Sequence, residues 1–316
     1  VNLPITISAV LLIGGLSIVN FIGIKESTWA NTIFAIITAG GLVLIIFLGM
    51  TYETTEPIDY FEMPNGTIGI ILAFVLIFFA FIGFEDMANV AEEVKKPKKT
   101  LPRAIVLTVI ITGIIYLLVS LSVVRVVNWE ELGQSAAPLA AVAERSLGIG
   151  GSITLSAIAL FATASTVLIT LVAGSRILYG MAKSKSLPLS LCKIHSKTKT
   201  PWIAVIGILI TSMAFALIGD IVIVANITVF AVVITFATIN LSVIVLRYTE
   251  PKLERSFRVP VNIGRFPLLP LFGFGVTIYM AIQFEMEVML VGLAIISVGA
   301  LFYVIFNRKQ NDAKLN

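Results

Sequence analysis

The sequence predicts an all-α polytopic membrane protein with about nine transmembrane helices, and three observations carry that expectation. Hydrophobic residues make up 58% of the 316 and charged residues only 13%, with a mean hydropathy of +1.02, far more apolar than a soluble domain. The apolar residues gather into nine runs near 3–22, 29–50, 67–91, 101–126, 152–178, 202–219, 222–247, 267–284 and 288–306. A hydrocarbon core about 30 Å thick needs roughly 20 helical residues, so each run is a candidate span. The charges, finally, are sorted by loop. Lys25, the Lys95–Arg103 cluster, Lys183–Lys199, Arg247–Arg265 and Arg308–Lys314 fall on one side, whereas Glu53, Glu56, Asp59, Glu62, Glu130, Glu131, Asp220, Glu285 and Glu287 fall on the other, with Arg125 and Arg145 as its only cations. The cationic side is expected to be cytoplasmic, which puts the first residue outside and the last inside. Helices follow because an open sheet would leave backbone groups unpaired in lipid.

Taken in order, the spans differ in how sharply they are marked. The first two carry paired glycines, Gly14-Gly15 and Gly40-Gly41, read as close-packing positions within uninterrupted helices. The third would be about 40 Å long if helical throughout, so it is expected to be interrupted. The fourth is expected to start with Thr100 as its cap and Pro102 in its first turn. The chain begins with Val1 and enters an apolar run at once, which either a removed leader or the loss of an odd number of upstream spans would explain.

Several function classes are excluded. The cations lie in loops between apolar runs and form no basic face with interleaved aromatics, so no nucleic-acid partner is expected despite a net charge of +4. One cysteine, Cys192, and one histidine, His195, allow neither a disulfide framework nor a histidine metal cluster, and no cofactor is expected. No Ser-His or Cys-His pairing, phosphate loop or HExxH pattern is present, so the chain is not expected to be an enzyme.

The most informative segment runs from Phe78 to Ile105. Here Phe81-Ile82-Gly83-Phe84-Glu85 takes an apolar span through a glycine directly into carboxylates, and Ala91-Glu92-Glu93-Val94-Lys95-Lys96-Pro97 and Leu101-Pro102-Arg103-Ala104-Ile105 follow as a cationic loop. Carboxylates near the bilayer interior are costly unless paired or hydrated, which makes Glu85 a functional candidate, while Asp86 reads as interfacial. Glu85 suits either a proton carrier or gate link, or a structural acid bonded to nearby backbone. Gly83 either breaks the helix or merely ends a short span. In the run 152–178, Thr163, Ser165, Thr166 and Thr170 offer hydroxyls to a sodium ion, or simply back-bond to their own helix and stitch spans together.

These motifs resemble the sixth span and following loop of amino acid/polyamine/organocation permeases. Asn20-Phe21-Ile22-Gly23-Ile24-Lys25 is similar to the family's turn between spans four and five, Ser175-Arg176-Ile177-Leu178-Tyr179-Gly180-Met181-Ala182 with Leu187-Pro188 to the end of span eight, and Thr200-Pro201-Trp202 to the start of span nine. The resemblance covers essentially the whole chain and aligns it with spans four to twelve. It implies a partial inverted-repeat, leucine-transporter-like fold: 1–307 as one permease domain, with 1–50 from the first repeat, 67–248 the second five-helix repeat, 267–307 two carboxy-terminal helices, and 308–316 a cytoplasmic tail.

By the same resemblance, backbone carbonyls around Phe79, Ala80, Phe81 and Ile82, freed by a break at Gly83, receive a substrate ammonium, and Phe79 covers the substrate from outside. Ile169 replaces the aromatic on which cationic exchangers of the family stack their substrate, so a neutral or hydrophobic amino acid is favoured. Asn226 and Thr228 touch the substrate side chain or are solvated helix-end residues. Ser165 and Thr166 fall near the ion site of sodium-coupled members, and Thr38 stands where some proton-coupled relatives carry a lysine. Arg176 reads as a snorkelling or gate residue. The implied activity is secondary transport driven by H+ or Na+ through alternating access in the cell membrane, as a homo-oligomer or with a complementary chain supplying spans one to three. The competing reading is a non-transporting fragment or partner subunit. The Lys95–Lys99 run sets topology or meets anionic lipid headgroups.

Overall fold

The computed structural model describes residues 5–54, 58–89, 91, 94–135, 137–218, 221–255 and 257–315. Val1, Glu56, Glu92, Glu93 and Asp220 of the sequence reading lie outside them. A helix stands at each of the nine apolar runs: α1 (Ile5–Ile22), α2 (Ile24–Thr51), α3 (Gly66–Phe81), with a one-turn α4 (Asp86–Asn89) after it, α5 (Pro97–Val126), α8 (Ile149–Lys183), α9 (Trp202–Ile218), α10 (Ile221–Thr249), α11 (Leu268–Ala281) and α12 (Met286–Leu315). Two short helices, α6 (Trp129–Gln134) and α7 (Pro138–Leu147), fill the connection from α5 to α8. The strands β1 (Asn262–Ile263) and β2 (Phe266–Pro267) form a small antiparallel hairpin. The protein is a polytopic all-α membrane protein.

Four helices, α2, α5, α8 and α10, are long and apolar enough to cross a bilayer unaided. The third run is interrupted, as its length requires: α3 stops at Phe81 and α4 resumes at Asp86. The last two runs are joined by a sharp bend of 120°. With 14 residues, α11 extends only about 21 Å, less than a full hydrocarbon thickness. The α12 helix continues to Leu315, through most of the stretch assigned as a tail.

Three local expectations are corrected. Thr100 does not cap α5, because Pro97 already occupies the first helical turn behind a left-handed Lys96 (φ 53°), and Pro102 falls inside the helix. Proline is most readily accepted at the first helical position, where its missing N–H costs nothing, and the earlier of the two takes that place. The Thr100 hydroxyl instead donates to the Lys95 carbonyl at 3.1 Å. Similarly, α2 starts at Ile24, several residues before the expected 29, with Gly23 alone separating it from α1. Ser27 tightens this corner, its hydroxyl donating to the carbonyls of Gly23 (2.8 Å) and Val19 (3.1 Å). The third correction is α7, which was not anticipated although Pro138 and Gly148 mark its two ends.

The helices assemble around three apolar clusters. One joins α2, α5, α7 and α8 through Ile45, Val123, Val142 and Leu155. A second joins α1 to α8 through Leu16, Leu168 and Val172, with Ile208 of α9 and Phe34 of α2 against it. The third is separate in sequence and joins α10, α11 and α12 through Phe230, Val233, Met280 and Val288, with Phe78 and Ile82 of the broken span packed on it. Small residues permit the closest approaches. A Cβ added at Gly49 would overlap the Ser122 backbone of α5, and one at Gly41 would lie 2.7 Å from Ile158 of α8. Gly40, by contrast, faces open space, so one member of that glycine pair carries the packing.

This asymmetry is testable. Gly49→Leu is expected to cost at least the roughly 1–3 kcal/mol of an overpacked interior and to lower the thermal midpoint of the purified protein in detergent, whereas Gly40→Leu leaves it nearly unchanged.

Candidate functional site

The broken span builds the site. Its helix ends because the chain at Gly83 turns to φ +119°, a conformation that L side chains rarely adopt, and residues 82–85 form a turn. An interruption at membrane depth must re-satisfy the backbone groups it frees. Ile82 N–H turns back to the Phe79 carbonyl at 3.2 Å. The Gly83 N–H donates to Oε2 of Glu85 at 2.8 Å, and Asp86 N–H returns to the Gly83 carbonyl at 3.2 Å. The Ala80 carbonyl is met from α5, where the Tyr116 hydroxyl donates at 3.0 Å. Among the described residues no backbone N–H reaches the carbonyls of Phe81 or Ile82. The break therefore presents acceptors, and an ammonium with its three donors suits acceptors.

Aromatic contacts hold the two ends of the break. Phe81 stands edge-on to Tyr116 at 5.3 Å between ring centroids. Phe78, before the break, and Phe84, after it, both meet Phe236 of α10, at 6.1 and 5.9 Å. The interruption thus lies between α5, which belongs to the first helical group, and α10, which belongs to the second. Phe79 is half exposed and takes no part in these ring contacts. Glu85 has the hydrogen bond of a structural acid, while Asp86 accepts from the Asn89 side chain at 3.1 Å.

The remaining sequence candidates are placed as follows. Thr38 bonds the carbonyl of Phe34 at 2.9 Å, one turn back along α2. Thr166 and Thr163 do the same with Ala162 (3.1 Å) and Ala159 (3.0 Å) in α8. Ser165 instead crosses to α2 and donates to Oδ1 of Asn31 at 2.8 Å. Ile169 of α8 and Asn226, near the start of α10, are half-buried, and neither joins the contacts around the break. Thr228 bonds Val224 at 2.8 Å within α10. Hydroxyl positions 163 and 166 therefore show helix back-bonding, and Ser165 shows inter-span stitching.

Tyr116 and Phe236 were missed by sequence reasoning. Each is an aromatic in an uninterrupted apolar run; only the Tyr116 hydroxyl, which seeks a partner in an apolar setting, hinted at a role. Asn31 was missed for the same reason as its partner was ambiguous: a lone polar residue shows a need for a bond without showing its direction.

A cleft of about 980 Å³ lies away from the break, at the ends of α2 and α5, among Tyr52, Asp59, Arg125, Trp129 and Arg145. Arg145 pairs with both carboxylate oxygens of Glu131, at 3.0 and 3.1 Å. Arg125 donates to the Tyr52 carbonyl at 3.4 Å. These contacts hold the connecting segments to the helix ends. Among the described residues no three His, Cys, Asp or Glu side chains gather as a metal site.

A span broken at a glycine, with carbonyls that no backbone N–H reaches among the described residues, is the kind of arrangement with which membrane transport proteins meet a substrate. Comparison with known proteins agrees, since the amino acid permease family matches residues 2–310. The chain belongs to that family, within the amino acid/polyamine/organocation superfamily. It is 29% identical over 321 residues to the branched-chain amino acid permease BcaP of Bacillus subtilis, covering all of this chain and 65% of the relative. It is 29% identical over 297 residues to the methylthioribose transporter of the same organism, covering 92% of this chain and 61% of the relative. A vacuolar cationic amino acid transporter 4 of Arabidopsis thaliana is 30% identical over 195 residues, 62% of this chain and 32% of the relative. The chain thus spans a little under two thirds of the two bacterial proteins.

Removal of the Tyr116 hydroxyl tests the support of the break. Tyr116→Phe leaves the Ala80 carbonyl without its donor, at a cost of about 1–3 kcal/mol. Hydrogen exchange of residues 79–86 is expected to accelerate, with the rest of the protein unchanged.

Proposed function

We propose that these helices belong to a secondary transporter of neutral or hydrophobic amino acids that works by alternating access. The observation that carries the reading is the interruption at Gly83, which leaves the Phe81 and Ile82 carbonyls without a backbone donor among the described residues, at the junction of two helical groups. A substrate ammonium held there sits where one group can move against the other. The aliphatic Ile169 and the similarity to a branched-chain amino acid permease both favour an uncharged side chain. The proposed transport is that of the whole protein in which these helices act, because the relatives are longer than this chain. In this reading the protein lies in the cell membrane, and the loop charges favour a cytoplasmic Lys95–Arg103 side and carboxy terminus.

The coupling ion is H+ or Na+. Glu85 is the candidate for the first, at the break itself, and Ser165 with Asn31 for the second. Replacement by Gln keeps an oxygen that can accept the Gly83 N–H, so Glu85→Gln separates a structural acid from a titrating one. A structural role leaves uptake and its dependence on an imposed pH gradient intact; a coupling role removes the dependence.

The reading is tested in proteoliposomes with a labelled pool of neutral amino acids, using the 316-residue chain beside a form extended at its amino terminus to the relatives' length. Saturable leucine or valine uptake by at least one of them is expected. Gly83→Val should abolish it while leaving the protein in the membrane, since a Cβ there meets no neighbour but the backbone conformation is strained by roughly 1–3 kcal/mol. Normal uptake by that variant would remove the broken helix from the mechanism.

A further inference from the structure

Beside the broken span, α3 and α11 flank an apolar groove of about 800 Å³ lined by Ile70 and Phe74 on one side and by Leu268, Phe272, Gly275 and Tyr279 on the other. Its lining contains almost no polar surface. Phe74 and Phe272 are 45% and 72% exposed, so these rings have not found a protein partner within the chain. The groove also has room: a Cβ added at Gly275 would meet nothing within 4 Å. It follows α11 from Leu268 to Tyr279, about 18 Å, comparable to the roughly 15 Å that an acyl chain spans in one leaflet.

One end of this groove is cationic. Leu268, which lines it, donates its N–H to the Val261 carbonyl at 3.1 Å and so fastens the β1–β2 hairpin to the start of α11. The hairpin turn is Gly264-Arg265, and Arg265 is exposed. Arg258 is exposed in the approach to the hairpin, and no acid pairs with either arginine among the described residues. Arg255, in contrast, is committed to the end of α10, where it donates to the carbonyls of Leu246, Leu253 and Glu250. The same segment exposes Phe257, Val261 and Ile263, at 53%, 57% and 68%. Exposed apolar residues interspersed with cations that no acid pairs among the described residues, at the end of an apolar helix, match the boundary between headgroups and acyl chains.

We propose that the α3–α11 groove holds an acyl chain of an anionic phospholipid whose phosphate meets Arg265. The apolar channel supplies retention and the arginine supplies headgroup selectivity, as the charge complementarity of the mouth requires. The site is independent of which solute the protein carries, because its readout is lipid retention.

The experiment is native mass spectrometry of the purified 316-residue chain exchanged from detergent containing phosphatidylglycerol or phosphatidylcholine. Retention of phosphatidylglycerol is expected to exceed that of phosphatidylcholine by roughly fivefold, the preference that one interfacial cation confers. Arg265→Ala should reduce the two to equal retention. Gly275→Leu, whose Cβ has open space and whose side chain occupies groove volume, should lower retention of both. Equal retention of the two lipids by the unaltered chain would overturn the proposal, as would unchanged retention in Gly275→Leu. Two further outcomes would assign the groove to protein instead: a dimer disrupted by Gly275→Leu, or loss of retained lipid in a form extended at the amino terminus.

Discussion

Every backbone N–H and C=O within the hydrocarbon must find a partner inside the protein, and this structure is organised by the break at Gly83, where helix geometry fails to provide it. At Gly83 the chain leaves the α-helical ladder, and the surroundings take over its hydrogen bonds: Glu85 receives the glycine N–H, Phe79 receives Ile82, and Tyr116 reaches across from α5 to Ala80. Carbonyls that remain uncovered are then an acceptor surface in a setting where water is scarce. An uncompensated acceptor there is costly, which is the physical reason a cationic group would be drawn to it.

Around that exception, several helices are joined by side chains that bond across spans. Asn20 of α1 donates to the Leu171 carbonyl of α8 at 3.1 Å, Ser122 of α5 to Ile46 of α2 at 3.3 Å, and Ser165 of α8 to Asn31 of α2 at 2.8 Å. Thr200, before α9, donates to Phe21 at the end of α1 at 3.0 Å. Hydrophobic burial discriminates poorly between helices in lipid, so polar links and close glycine contacts do much of the selecting of neighbours. These links hold α1, α2, α5, α8 and α9 together. The α10–α12 group is held instead by apolar packing around Phe230 and Met280, with Gly292 admitting the Phe230 ring and Gly273 admitting Asn240. A broken segment between groups joined by different means is placed where relative movement would change its geometry.

The same economy explains the ends of the helices. Arginines tie connecting segments to exposed carbonyls: Arg125 to Tyr52, Arg145 to Val126 and Glu131, and Arg255 to the last turn of α10. A guanidinium has five donors in a fixed fork, so it can satisfy several helix-end acceptors at once. Cations that have such partners are structural; Arg258 and Arg265 differ because they face outward from a hairpin.

Composition, run length and loop charge were enough to determine an all-helical membrane protein with helices at nine apolar runs, because the cost of burying polar backbone in lipid leaves few alternatives. The sequence also marked the interruption: a run too long for one span, containing Gly83 immediately before Glu85, reads as a break. What it left open was direction. Glu85 could titrate or cap, and the hydroxyls of α8 could coordinate or back-bond, since the composition of a helix face is the same in either case. Tertiary structure decided that Glu85 accepts the Gly83 N–H, a bond open to a structural and to a titrating acid alike, that Thr166 turns to its own helix and Ser165 to Asn31, and that Tyr116 and Phe236 support the break. It decided, too, that Pro97 rather than Pro102 begins α5 and that α7 fills the connection between α5 and α8. Each of these depends on which residues distant in the chain become neighbours in space, and apolar periodicity gives no account of that.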